Sequence, residues 1–157
     1  MSWRAVATVW DRIFGALAYL LPLFYGMQFG GSLMQMFPVL QLLLIPILPI
    51  ALIYSIPLAG IIVFMGLYLL VVRNSRISYF VRYNTMQALL MGIVIFLLQL
   101  VMMVLNLLGS FDFVTKVFSN FVFIGVLAGV IFAIVQSVRG IYAELPTISD
   151  ATKSQVL

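Results

Sequence analysis

The residues able to do chemistry are few and stand in apolar surroundings. Four carboxamides, Asn84, Gln87, Gln99 and Asn106, share one run that carries no charge after Arg82. At about 100° per residue on a helix they fall within roughly a third of the circumference, so they form a polar stripe. Such side chains at membrane depth face protein or water. The stripe therefore reads either as interhelical hydrogen bonding or as the wall of a conduction or substrate path.

The residue types that catalysis needs are absent or scattered. With 0 Cys and 0 His, the chain has no thiolate nucleophile, no disulfide and none of the usual transition-metal ligands or general bases. Gly30-Gly31 is followed by neither a Lys nor a soluble helix, as a phosphate-cradling loop would be. No serine inside an apolar run has a base partner, and the 4 carboxylates do not converge. The chain is expected to be no enzyme and to carry no cofactor or metal.

The elements that must position the stripe follow from composition. The 157 residues are 65% hydrophobic and only 8% charged, against about 25% charged in a soluble globular domain. Such a chain cannot cover itself in water, and it reads as an all-α membrane protein. The net charge of +4 does not point to nucleic acid, because the 8 basic residues are scattered between apolar runs.

No charge falls between Arg12 and Arg73, a stretch about three times the roughly 20 residues one span needs. Gln28, Gly30, Gly31, Ser32 and Gln35 mark a turn after a first span near residues 13–27. Pro38, Pro46 and Pro49 make residues 38–54 a poor straight span, better drawn as a re-entrant or interfacial segment. Pro57 suits a helix start, which predicts a second span over residues 55–72. A third span over 78–108 and a fourth over 117–138 complete a bundle covering 13–138, with residues 1–12 and 139–157 as tails. The N-terminal tail lacks a small-residue cleavage site on schedule and is expected to be retained.

Loop charges test the count, since Lys and Arg gather in cytoplasmic loops. With four spans, Arg4 and Arg12, the cluster Arg73, Arg76 and Arg82, and Arg139 with Lys153 share one side. Asp112 and Lys116 alone mark the other. A fifth span at residues 38–54 would split the basic residues, so four spans with both termini inside are expected. The cluster and Arg139 read as topology anchors or as contacts for anionic lipid headgroups.

Gly125, Gly129, Ala133, Gln136 and Gly140 recur at steps of three or four, a small-residue face suited to close helix packing or self-association. Gly15, Ala18, Pro22 and Gly26 form a weaker stripe in the first span, which Pro22 would kink. Among the 9 methionines, Met27, Met34, Met36, Met86, Met91, Met102 and Met103 could line an adaptable surface or simply pack. No ionisable residue falls in the middle of a predicted span, which disfavours ion-coupled transport.

Three stretches carry a family resemblance: Asp11-Arg-Ile-Phe-Gly-Ala-Leu-Ala-Tyr-Leu-Leu-Pro-Leu23, Val72-Arg-Asn-Ser-Arg-Ile-Ser-Tyr-Phe-Val-Arg-Tyr-Asn-Thr-Met-Gln-Ala88, and Val135-Gln-Ser-Val-Arg-Gly-Ile-Tyr-Ala-Glu-Leu-Pro-Thr-Ile-Ser-Asp-Ala151. The chain resembles the family of the twenty-kilodalton subunit of the translocon at the inner envelope membrane of chloroplasts (the Tic complex), in a cyanobacterial or plastid-encoded form. The resemblance implies four membrane helices with stromal termini, a part in preprotein import and a proposed role in forming or lining the channel. It brings no catalytic residues. A missing transit leader sets the chain apart from nuclear-encoded members.

The leading expectation is a translocation component whose helices, with partner subunits or further copies, form a path for unfolded polypeptide in a cyanobacterial plasma or thylakoid membrane or a plastid envelope. A structural or assembly subunit of a larger membrane complex is the alternative. A small-solute channel is the third.

Overall fold

In a computed structural model, which describes residues 6–109 and 112–156, every regular element is helical. Arg4 of the basic N-terminal tail lies outside the described residues. Helix α1 (Val9–Ala18) starts at a capping box. Thr8 Oγ1 accepts from the Asp11 amide at 3.2 Å, and Asp11 Oδ2 accepts from the Thr8 amide at 2.9 Å.

In the region of the first expected span, helix starts at Val9, ahead of residue 13, and is broken: α1 gives way at Tyr19 to α2 (Leu20–Gly26). Pro22, inside α2, has no amide to offer the carbonyl four residues back, which accounts for a break at this level. A 3₁₀ turn (Met27–Phe29) and a short helix, α3 (Gly31–Met36), follow.

Pro38 opens a 3₁₀ helix (Pro38–Leu43) that leads into α4 (Leu44–Tyr54), with Pro49 inside it. After a break, α5 (Ala59–Gly66) runs into a π-helical turn (Leu67–Val72). The two apolar pieces, Pro38–Tyr54 and Ala59–Val72, are bent by 106° relative to each other, the geometry of a broken span or a re-entrant pair. Pro57 thus lies in the break and not in the first turn of a helix starting at Ser55. Leu58 caps α5 with φ at +64°, a left-handed conformation that side chains avoid.

Helices α6 (Tyr79–Leu108) and α7 (Asp112–Val138) are long and apolar enough to cross a membrane. At 1.5 Å per residue, their 30 and 27 residues reach about 45 and 40 Å. α7 begins five residues ahead of the expected boundary, so Asp112 and Lys116 sit on the helix itself. It ends in a Schellman motif. The Ile141 amide donates to the Gln136 carbonyl and the Gly140 amide to that of Ser137, each at 2.9 Å, with Gly140 at φ +74°.

Residues beyond 139 are not a loose tail. The chain turns back, buries Ala143, and lays α8 (Ile148–Gln155) against α6, with Thr152 and Val156 buried. α1 and α2 pack on both α6 and α7, and α2 also meets α4. The main core joins Tyr19, Leu23, Met91, Phe123, Val130 and Ala133. Burial is uneven along the long helices: no residue of α6 beyond Ile95, and none of α7 before Val122, is buried.

Candidate functional site: the polar stripe of the central helix

The stripe predicted on α6 divides into a dry half and an open half. Ser78, whose Oγ accepts from the Val81 amide, caps the helix, on which Asn84 and Gln87 point into the bundle, both fully buried. Asn84 Oδ1 accepts from the Tyr19 hydroxyl at 2.8 Å and from Ser137 Oγ at 3.0 Å, while its Nδ2 donates to the Phe80 carbonyl at 2.8 Å. One carboxamide thus ties α6 to the α1–α2 joint and to the end of α7. In surroundings without water, each of these bonds replaces one that solvent cannot supply.

Gln87 secures the C-terminal return. Its Nε2 donates to the Ala143 carbonyl at 2.8 Å, with Tyr83 and Tyr142 packed edge to face beside it at a 5.1 Å ring separation. Gln87 Oε1 is buried without a partner, as are Asn120 Oδ1 and Gln136 Oε1 on α7.

Farther along α6 the character changes. Gln99 is exposed and accepts at 3.3 Å from Gln28 Nε2, which also donates to the Tyr25 carbonyl at 2.9 Å. Asn106 is exposed near the helix end. Gln28, Gln99 and Tyr25 border two adjoining grooves of about 550 and 590 Å³. In the first of them the Tyr25 and Tyr54 hydroxyls meet at 2.6 Å.

The small-residue face of α7 is only partly turned inward. Ala133 is fully buried, and a Cβ on Gly129 would touch the Met91 methyl at 3.4 Å. Gly140 lies so close to Arg12 that a Cβ would stand 2.8 Å from its Nε. Gln136 is half-buried, and Gly125 faces open space with nothing within 4 Å of a Cβ. The face that packs runs through Val126, Val130, Ala133 and Ser137, rotated from the glycine stripe. The tightest glycine contacts belong to Gly26, against Val126, and Gly30, against Phe123.

Of the basic anchors, Arg73, Arg76 and Arg139 are exposed. Arg82 is half-buried, and its Nε donates to the Val72 carbonyl at 2.8 Å, closing the turn between the π-helical segment and α6. Asp11, ahead of the first apolar run, accepts from Ser78 Oγ at 2.7 Å. Among the described residues, no three Asp or Glu side chains gather where a metal could sit.

Sequence reasoning missed Tyr19, Ser137 and Gln28. Tyr19 was hidden in an apolar run, and Ser137 stands next to the more conspicuous Gln136. Gln28, beside Gly30 and Gly31, carries the local signal of a turn and no sign of a partner on α6. No local signal paired Tyr19 or Ser137 with Asn84, because they lie 65 and 53 residues away from it in sequence.

Two apolar helices long enough to cross a bilayer, joined to a bent apolar pair and crosslinked by buried carboxamides, define an integral membrane protein of the all-α class. The family model described as "Chloroplast import apparatus Tic20-like" matches residues 4–152. The chain belongs to that family. It is 47% identical over 158 residues to a Tic20 family protein of Synechocystis sp., with 99% of each chain covered. It is 32% identical to the Arabidopsis thaliana protein TIC 20-v, chloroplastic, over 94% of this chain and 71% of that one. The Tic20 family protein Ycf60 of Pyropia yezoensis is 32% identical over 92% of this chain and 75% of its own length.

Proposed function

We propose that this protein is a membrane component of a protein-translocation system, contributing one wall of a path for unfolded polypeptide in an assembly with other membrane subunits or further copies of itself. The family match along residues 4–152 carries this reading. In it, α1–α2, α5 with its π turn, α6 and α7 are four spans. The proline-rich segment 38–54 is re-entrant, and both termini lie on the cytoplasmic or stromal side. No catalytic step is assigned.

The path is placed on the outer side of α6. Asn84 and Gln87 are spent on internal bonds, which leaves Gln28, Gln99 and Asn106 as the polar groups able to meet a passing chain. A crosslinker at Gln99 should capture unfolded polypeptide in membranes engaged in translocation, while one at Gly125 should not. The absence of polypeptide adducts at Gln28 and Gln99 would overturn the reading.

A second reading, a scaffold subunit that docks partners and passes nothing, has its own support. Phe121 and Gly125 share an uncovered face of α7, with nothing within 4 Å of a Cβ at Gly125, and a small residue on an open face lets another helix approach closely. Crosslinks from these positions to stoichiometric partner subunits, with none to polypeptide anywhere on the chain, would favour it.

A further inference from the structure

We propose that the groove between α1 and the bent helix pair binds an acyl chain of an anionic glycerolipid, whose headgroup is held at the turn of residues 73–76. The groove encloses about 620 Å³. Phe14, Leu17 and Ala18 line one wall, Ile53, Val63 and Leu67 the other. Its polar side chains are few, and two of them, Asp11 and Ser78, are already bonded to each other at 2.7 Å. Such a lining excludes water and suits hydrocarbon.

Two observations favour a charged lipid over any other occupant. First, Val71 and Ile77 line the groove and flank the turn, which places residues 73–76 next to that end. The turn is a built element. Asn74 Oδ1 accepts from the Arg76 amide at 3.0 Å, and the Ile77 amide donates to the Asn74 carbonyl at 3.1 Å. Its exposed cations, Arg73 and Arg76, match an anionic headgroup, to which a guanidinium near the membrane surface is drawn. Second, Trp10 borders the groove beside Asp11 and is 68% exposed. An indole at that end is the usual marker of headgroup level. The headgroup thus falls beside the arginines and the acyl chain runs toward Ile50 and Tyr54, the opposite end of the same lining.

The test is native mass spectrometry of the full chain in detergent, with equal amounts of phosphatidylglycerol and phosphatidylcholine added. Phosphatidylglycerol should be retained with a preference of roughly tenfold, since each arginine supplies several-fold. Arg73→Gln with Arg76→Gln should bring the preference to about one. Ala18→Trp, or Val71→Phe where the first does not fold, should lower occupancy by both lipids. Inorganic phosphate at matched concentration should displace neither. The proposal is overturned by equal retention of the two lipids, by a preference that survives the double arginine change, by groove-filling variants that keep full occupancy, or by displacement with phosphate alone. Helicity and gel-filtration behaviour identify variants that have merely unfolded. None of these outcomes depends on whether the protein translocates polypeptide.

Discussion

The Tyr19 hydroxyl donates to Asn84 Oδ1 at 2.8 Å across 65 residues of chain, with both side chains at 0% exposure. This bond, together with the one from Ser137, holds the α1–α2 joint and the end of α7 against one point on α6.

Asn84→Leu should destabilise the folded protein by about 1–3 kcal/mol, because it strands the Tyr19 and Ser137 hydroxyls away from water. Tyr19→Phe should cost about 1 kcal/mol, since it removes the bond but little of the packing. Reversible unfolding in detergent should show the two changes coupled in a double-mutant cycle. Strict additivity would mean that the bond contributes nothing.

Two glycine-to-alanine changes should have opposite signs. At Gly26 a Cβ would lie 2.6 Å from a methyl of Val126, a stiff β-branched side chain. The clash, about 1–3 kcal/mol, outweighs the roughly 1 kcal/mol gained in helix propensity. At Gly125 nothing lies within 4 Å of a Cβ, so only the propensity gain remains. Thermal midpoints should fall for Gly26→Ala and rise slightly for Gly125→Ala. If Gly125→Ala leaves the isolated chain intact but dissociates an assembly, that face is where a partner sits.

Asp11 joins the start of α1 to the start of α6 through Ser78 at 2.7 Å and closes the capping box with Thr8. Asp11→Ala should lower the thermal midpoint, since losing the cap partner and the bridging bond costs about 1–2 kcal/mol. Reversible unfolding in detergent measures the change. An unaltered midpoint would contradict the assignment.

Leu58 adopts φ +64° while remaining 72% exposed, so it bears strain and gives little packing in return. Leu58→Gly should stabilise the bend between α4 and α5 by about 1 kcal/mol or leave it unchanged, as glycine adopts that conformation without a Cβ clash. Hydrogen exchange at residues 55–62 reports the local effect. Faster exchange in the variant would show that the leucine side chain, not the backbone angle, maintains the bend.

Much of the helical plan was legible because it depends on neighbours in sequence. The expected 78–108 element is α6 to within one residue, and both its start signal, Ser78, and its uncharged length are local. The prolines at 38, 46 and 49 predict an irregular segment; a 3₁₀ helix is found at residues 38–43, but residues 44–54 form α4, and the bend comes after it, between Tyr54 and Ala59. Where the reading differs from the structure, one cause is local and one is not. The Thr8–Asp11 capping box, between residues three apart, starts α1 ahead of the apolar run, whereas Gln87 draws residues after 139 back onto α6 through a bond that spans 56 residues.

By itself the sequence determined that this chain lives in a membrane and is helical, since 65% of its residues are hydrophobic and its long uncharged runs lack the apolar–polar alternation of a barrel strand, leaving the helix to satisfy the backbone in lipid. It also placed four carboxamides on one face of α6. Only the tertiary structure decided which of them are dry. A stripe is a direction around one helix axis, and whether that direction meets protein or the outside depends on where α1, α2 and α7 stand. Tyr19 and Ser137 close over Asn84, and the return of residues 141–156 covers Gln87. Around Gln99, by contrast, the bundle opens, leaving Gln28 as its neighbour at the edge of the grooves.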